Sequence, residues 1–376
     1  MSGAKKIKFF VTPVYPYGND HYYHEIIAVA EGFKELGYTV VGNANYWFVP
    51  EENKFLIPFD EVNDFDIAIY DYRYVTSFAH LLFRKGHPNF DKSKKHILID
   101  RNDWISPIWA NNPHYEIFDL IFAGNLYNNI PYPKNIRPWA IGLTNRIMHS
   151  IDRFHNEKQE RSHAIGYNFR ISHNMRGRVL EGIQNKVKSV PLKECFTDKT
   201  FDSDWTEADK LYLKTSIDRH FPPYFKIINS VSMFMSFGGY HEYKPVVYQP
   251  YTFLSKLRRK PYYYYAKLLK ALKKDETPAL FVFQTDNFRF WEILYSAACP
   301  ININFESWNL LLPAFPADGK HYLGINKFNF SEFAKRLEGL PKEKIEAIGA
   351  EGRAWVKDNY SPKAQAQRII GNLNKI

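Results

Sequence analysis

Residues 286–313, DNFRFWEILYSAACPININFESWNLLLP, decide how this chain is read. They divide into a short polar loop, a helix, a buried strand and a second loop. The run Trp291-Glu292-Ile293-Leu294-Tyr295-Ser296-Ala297-Ala298 places apolar residues at helical spacing and ends in small ones. Cys299-Pro300 is expected to stop the helix, because proline has no amide hydrogen and disfavours helix in the residue before it. Ile301, Ile303 and Phe305 follow as a strand. Glu292 lies one turn into the helix. A carboxylate there, beside a loop at the C-terminal end of a parallel sheet, suits the hydroxyls of a ribose. The helix start, with Asn287 and Phe288, suits adjacent phosphates. An ordinary β-loop-α-β unit with Glu292 as a solvated acid accounts for the same pattern.

Outward from this segment the chain alternates strands and helices. Residues 6–14, KIKFFVTPV, read as a buried strand, and 23–37 as a helix with Ile26, Ile27, Val29, Ala30, Phe33 and Leu36 on its apolar side. Gly37 closes that helix, and 38–41 is the next strand. Further strands are expected at 66–70, 96–100 and 120–123. Each is short, apolar and bounded by polar turns, as parallel strands are. The polar run HSIDRFHNEKQERS at 149–162 reads as a linker or its flank. A second series follows: a strand at 163, a helix over 178–186, a strand over 227–236 ending in Phe237-Gly238-Gly239, and a strand at 279–283. Residues 240–278 read as an insertion carrying one basic helix.

Composition narrows the class. A length of 376 residues exceeds one usual core, so two domains are expected. No stretch is apolar enough to span a membrane, and the basic first residues lead straight into a strand rather than into a signal peptide. Two cysteines, Cys195 and Cys299, make neither a disulfide framework nor a metal site, which fits a reducing cytoplasm. The formal charge of +10 suits an anionic partner: a nucleotide, a phospholipid surface, an acidic polysaccharide or DNA. The densest basic patch, 256–274, interleaves lysines and arginines with tyrosines, and reads either as a peripheral membrane contact or as a solvated helix face.

Two stretches carry a family likeness. The acid of 286–313, preceded by an aromatic and an arginine and followed by small residues and a proline-led strand, resembles the donor-binding element of GT-B nucleotide-sugar glycosyltransferases. It is most similar to the exostosin and CgeB-like branches and to glycosyltransferase group 1. EAIGAEGRAWVKDNYSPKAQAQRIIGNL, 346–373, resembles the closing helices of many such enzymes. The likeness implies an α/β GT-B fold of two Rossmann-like doubly wound domains facing a central cleft. It implies an acceptor domain over 1–150, a donor domain over 151–345, and helices over 346–376 that pack back towards the first domain. It further implies transfer of a sugar from a UDP- or GDP-linked donor to an acceptor hydroxyl, with no metal and no cofactor. The acceptor would be a surface glycan or a lipid-linked glycan. A phage-type DNA-base glycosyltransferase and a non-catalytic GT-B-like binding protein stay open as alternatives.

By the same likeness, Glu292 takes the ribose, and Gly166, Arg170 and Arg176 take the pyrophosphate, with Arg178 nearby. Arg289 pairs with Glu292 or touches the diphosphate, and Gly238 and Gly239 form a second close-approach loop. The catalytic base is expected at Asp20 or His21, beside His24, or else at Asp103 after the 96–100 strand. Each of these also reads as a turn or cap residue. Asp202-Ser203-Asp204 matches the metal-binding pattern of GT-A enzymes, but it lies among Asp198, Glu207 and Asp209 and reads as surface.

Overall fold

The computed structural model describes residues 5–12, 22–82, 90–100, 113–155, 160–169, 171, 173–195, 205–216, 218–243, a few positions between 261 and 272, and 280–376. Apolar alternation builds its first sheet. The strands, in chain order, are β1 (Lys6–Phe10), β2 (Thr39–Gly42), the hairpin β3 (Tyr46–Val49) and β4 (Lys54–Ile57), β5 (Ile67–Asp71), β6 (Lys95–Asp100), β7 (Leu120–Ala123), the short β8 (Leu126–Tyr127) and β9 (Ile136–Pro138). Six of them pair in parallel in the order β2-β1-β5-β6-β7-β9. Ile7, Phe9, Ile69 and Ile99 face one core, and Phe10, Tyr70, Leu98 and Ile121 face the other, because successive side chains leave a strand on opposite sides. Helix α1 (His24–Glu35) covers the first face and α2 (Tyr72–Leu82) the second. Lys8 is buried in this sheet, its ammonium satisfied by the carbonyls of Asp60 and Val62 at 3.0 Å and by Asn63 Oδ1 at 2.8 Å.

The chain leaves through α3 (Asn145–Phe154) and builds a second sheet. Its strands are β10 (Ser162–Tyr167), β11 (Leu192–Glu194), β12 (Val231–Met235), β15 (Cys299–Ile303) and β17 (Leu323–Ile325), paired in parallel in the order β11-β10-β12-β15-β17. Between them lie the antiparallel pair β13 (Tyr240–Tyr243) and β14 (Leu280–Phe283), and β16 (Leu310–Leu311), which pairs with β8 of the first half. The helices of this half include α4 (Asn174–Lys186), α5 (Glu207–Thr215), α6 (Pro222–Ile228), α7 (Phe288–Tyr295), α8 (Phe330–Glu338), α9 (Lys342–Tyr360) and α10 (Pro362–Leu373). In each sheet the second strand lies on one side of the first and the later strands on the other. Both halves are therefore doubly wound, with a switch point beside their first strand.

Several expectations need correcting. Helix α7 ends at Tyr295, four residues before Cys299; Ser296 donates its amide to the Glu292 carbonyl, and Ala297 turns left-handed at φ 62°. Pro300 is a strand residue opposite Phe234 and stops nothing. The first part of the strand expected over 227–236 is helix, because Pro222 and Pro223 preset the first turn of α6. Asp209, in the acidic stretch around the Asp202-Ser203-Asp204 motif that reads as surface, is itself buried at 4% exposure. Asp202, Asp204 and most of 256–274 lie outside the described residues; Tyr264, Tyr265, Leu268 and Leu272 within that last stretch are exposed.

Segments distant in sequence tie the halves together. Helix α10 packs along α1, where a Cβ on Gly32 would sit 1.9 Å from the Pro362 carbonyl oxygen. Asp286 Oδ2 accepts the Ile141 amide at 2.7 Å, and Tyr127 donates to the Val282 carbonyl. From α5, the Tyr212 hydroxyl reaches Glu51 at 2.6 Å and its ring stacks on Trp47 at 5.7 Å. No helix among the described residues is long and apolar enough to cross a membrane.

Candidate functional site

A cleft of about 540 Å3 opens beyond the C-terminal ends of the paired strands β10 and β12, at the switch point of the second sheet, where open parallel sheets hold ligands. Asn168, His173, Arg176, Gly238 and Gly239 line it from the second sheet. Asn287, Phe288, Arg289 and Glu292 line it from α7, and Tyr22, Ile141 and Arg146 from the first half of the chain.

Helix α7 is anchored at its start. Asn287 is extended (φ −148°, ψ 154°), and its Oδ1 accepts the Phe290 amide at 3.3 Å. Its Nδ2 donates to the carbonyls of Ser236 at 2.7 Å and Thr285 at 3.0 Å. The Asn287 side chain is thus committed to fixing the helix, whose N-terminal end borders the cleft. Gly239 has φ +82°, and a Cβ there would sit 2.0 Å from the Phe283 carbonyl oxygen, so this wall of the cleft requires glycine. Gly238 packs on Asn287 in the same loop.

Glu292 is 6% exposed. Burial raises its pKa, against the charge of Arg289, the neighbouring Tyr224 hydroxyl, and the charges of Arg146 and Arg219. The Tyr224 hydroxyl is enclosed, near enough to bias the carboxyl but without a formed hydrogen bond. A carboxyl acceptor and a hydroxyl side by side on the cleft wall match a vicinal diol.

Arg289 donates Nε to Asn168 Oδ1 at 3.1 Å, and Arg176 donates Nε to the Phe237 carbonyl at 3.1 Å. Desolvation, and next the charge of Arg289, bring Arg176 down to about 10. Two guanidinium groups held within each other's field, with α4 and α7 both beginning at the cleft, concentrate positive potential at one point.

Other expected residues fall elsewhere. Gly166 is inside the sheet: a Cβ there would meet the Phe234 ring at 2.7 Å, so the glycine serves strand packing rather than the cleft. The Arg178 guanidinium lies 4.1 Å from the Phe328 ring centre and does not line the cleft. Asp20, His21, Asp103 and Arg170 lie outside the described residues. His24 is fully buried: the Tyr22 hydroxyl donates to its Nδ1 at 2.9 Å, and its Nε2 donates to the Gly142 carbonyl at 3.1 Å, leaving no nitrogen for a substrate. Its ring instead meets the edge of Phe288 at 4.8 Å.

Sequence reasoning missed Arg146, Arg219, Tyr22 and Tyr224. Arg219 stacks over Phe288 at 4.7 Å. The one available signal was Arg146, a charged residue in helical register with Leu143, Ile147 and Ser150 on a buried face.

The architecture has solved counterparts. A glycosyltransferase from Rickettsia africae ESF-5 superposes with a TM-score of 0.52 at 12% identity, over 99% of this chain and 98% of that one. Alr3699/HepE of Anabaena, in complex with UDP-glucose, superposes with a TM-score of 0.50 at 9% identity, over 99% and 100%. No family model matches the sequence, and no curated protein is similar to it. At these identities the likeness establishes the fold: two Rossmann-like domains in the GT-B arrangement.

Proposed function

We propose that the chain is a glycosyltransferase that moves a sugar from a nucleoside diphosphate to an acceptor hydroxyl without a metal ion. One observation carries the reading: Glu292, Arg289, Arg176 and the starts of two helices converge at the switch point of the second sheet. Glu292 and Tyr224 hold the ribose diol. Arg176, Arg289 and the first-turn amides of α4 and α7 hold the diphosphate. As the glycosidic bond lengthens, negative charge gathers on the leaving phosphate. These groups are already oriented towards it, so they stabilise the transition state without reorganising. That removes the need for a divalent cation.

The acceptor enters from the first half of the chain. The stretches of sequence that follow β1 and β6 carry Asp20 and His21, and Asp103. We assign the proton acceptor to one of these stretches, since His24 is spent on structure. The UDP-glucose bound by HepE makes UDP-glucose the first donor to test. A lipid-linked acceptor is favoured over a free glycan by the exposed Tyr264, Leu268 and Leu272, spaced four residues apart in a lysine-rich stretch. Incubation with nucleotide sugars in EDTA, with release of nucleoside diphosphate read by mass spectrometry, tests the assignment.

A further inference from the structure

Among the described residues Arg146 is a buried cation with no carboxylate in ion-pair contact. It is 5% exposed and borders the cleft. Its Nη1 donates to His220 Nδ1 at 2.7 Å and its Nη2 to the Tyr22 hydroxyl at 2.7 Å, while Nε is enclosed and has no partner. Both partners are neutral. His220 donates Nε2 to Asp209 at 2.7 Å, which leaves Nδ1 as an acceptor, and burial brings its pKa down to about 4. The Asp209 charge is taken up by Arg153 at 2.8 Å and by the Thr206 amide at 2.8 Å. Among the described residues Glu31 and Glu292 also feel the charge of Arg146, and neither forms an ion pair with it. Burial pushes Glu31 up to about 8, so it carries little charge at neutral pH. The rings of Tyr22, Trp47 and Tyr212, 5.5 to 5.9 Å from the guanidinium carbon, offset only part of the desolvation. A charge held out of water by neutral groups, at the edge of a cleft, is prepared for an anion that arrives with a ligand.

That anion is not the diphosphate if Arg176, Arg289 and the starts of α4 and α7 serve it from the second sheet. Arg146 and Tyr22 come from the opposite side, Tyr22 just ahead of α1 and Arg146 in the helix that follows β9. We propose that Arg146 reads an oxyanion on a sugar, the carboxylate of a uronic acid or a phosphate ester, carried by the acceptor or by the transferred residue. The planar guanidinium offers its remaining Nη hydrogens to such a group, and Asp209 acts through His220 as a positioning residue. The inference rests on the cleft being a nucleotide-sugar site.

Calorimetry on the full chain separates the two sources. In the donor arm UDP, UDP-glucose and UDP-glucuronate are titrated. In the acceptor arm, neutral disaccharides and their glucuronate or 6-phosphate counterparts are titrated with UDP present. The wild type is expected to prefer the acidic member of a pair at least about tenfold in one arm. Arg146→Met should bring that ratio to about one while changing UDP affinity less than about threefold. His220→Gln should lower the ratio part of the way and leave the neutral partner's affinity unchanged, which a merely structural role would not do. Equal affinity for acidic and neutral partners in both arms of the wild type overturns the inference, whatever becomes of the variants. An equal loss of UDP and acidic-ligand affinity in Arg146→Met assigns Arg146 to the diphosphate and overturns it too. Absence of UDP binding to the wild type counts instead against the nucleotide reading, and the acidic-to-neutral ratio can still be read without UDP.

Discussion

Replacing Glu292 with glutamine is expected to move stability and affinity in opposite directions. The carboxyl is 6% exposed and burial raises its pKa, so its charged form is disfavoured in the folded protein. For a carboxyl shifted this way, stability is complete below its unfolded pKa and declines as the pH rises through the folded one. Glu292→Gln removes that penalty. The variant should melt no lower than the wild type at pH 8, and above it by the amount the burial costs. Ligand binding should suffer instead. A hydrogen bond to a charged acceptor contributes about 1.5–3 kcal/mol, so UDP or GDP should bind roughly ten- to a hundred-fold more weakly. Glutamine still accepts one hydrogen bond, which places the expected loss at the lower end; Glu292→Ala should reach the upper end. Titration calorimetry with the nucleotide, beside thermal melts at pH 5 and pH 8, reads both quantities. Unchanged nucleotide affinity in Glu292→Ala would remove Glu292 from the site. A large drop in melting temperature for Glu292→Gln would show that the carboxylate serves the fold rather than a ligand.

Other expectations follow from the same geometry. Arg176→Met and Arg289→Met should each weaken UDP by about ten- to a hundred-fold while changing uridine by less than about threefold, since they are assigned to phosphate; equal losses for both ligands would refute that assignment. Glu31, raised from 4.5 to about 8 by burial, should cost stability progressively between those pH values, by something on the order of 5 kcal/mol at most. Glu31→Gln keeps an acceptor for the Asn145 amide, so it should raise the melting temperature at pH 8.5 and leave it nearly unchanged at pH 4.5; the reverse order contradicts the shift. Gly239→Ala should destabilise far more than Gly37→Ala, because both glycines have φ near +80° but only Gly239 meets a carbonyl at 2.0 Å, and equal melting temperatures would show that the loop relaxes.

The sequence exposed the fold because its signals are local. The apolar runs at 66–70, 96–100 and 120–123 became β5, β6 and β7, and Gly37 takes the left-handed φ of 81° expected after α1. Asn287 caps α7 where the polar loop meets the aromatic run. What stayed hidden depends on contacts between distant residues. The stop of α7 lies in the left-handed Ala297, which carries no sequence mark, whereas Pro300 carries a strong one and draws the helix end to itself. Gly166 reads as a close-approach glycine, but only the neighbouring strand shows that Phe234 occupies its face. Asp209 sits among acids in sequence and is buried by Arg153 and His220, an arrangement no periodicity reports. Arg146 and Tyr22, separated by more than a hundred residues, meet only because α3 packs beside the loop ahead of α1.

The central claim is that the cleft at the second switch point turns over a nucleoside diphosphate sugar. It is tested most directly by incubating the full chain in EDTA with a panel of UDP- and GDP-sugars and following nucleoside diphosphate by mass spectrometry. The account predicts that one nucleotide series is consumed and that Glu292→Ala and Arg289→Met slow its consumption. A wild-type chain that consumes no member of the panel and binds neither UDP nor GDP would contradict it.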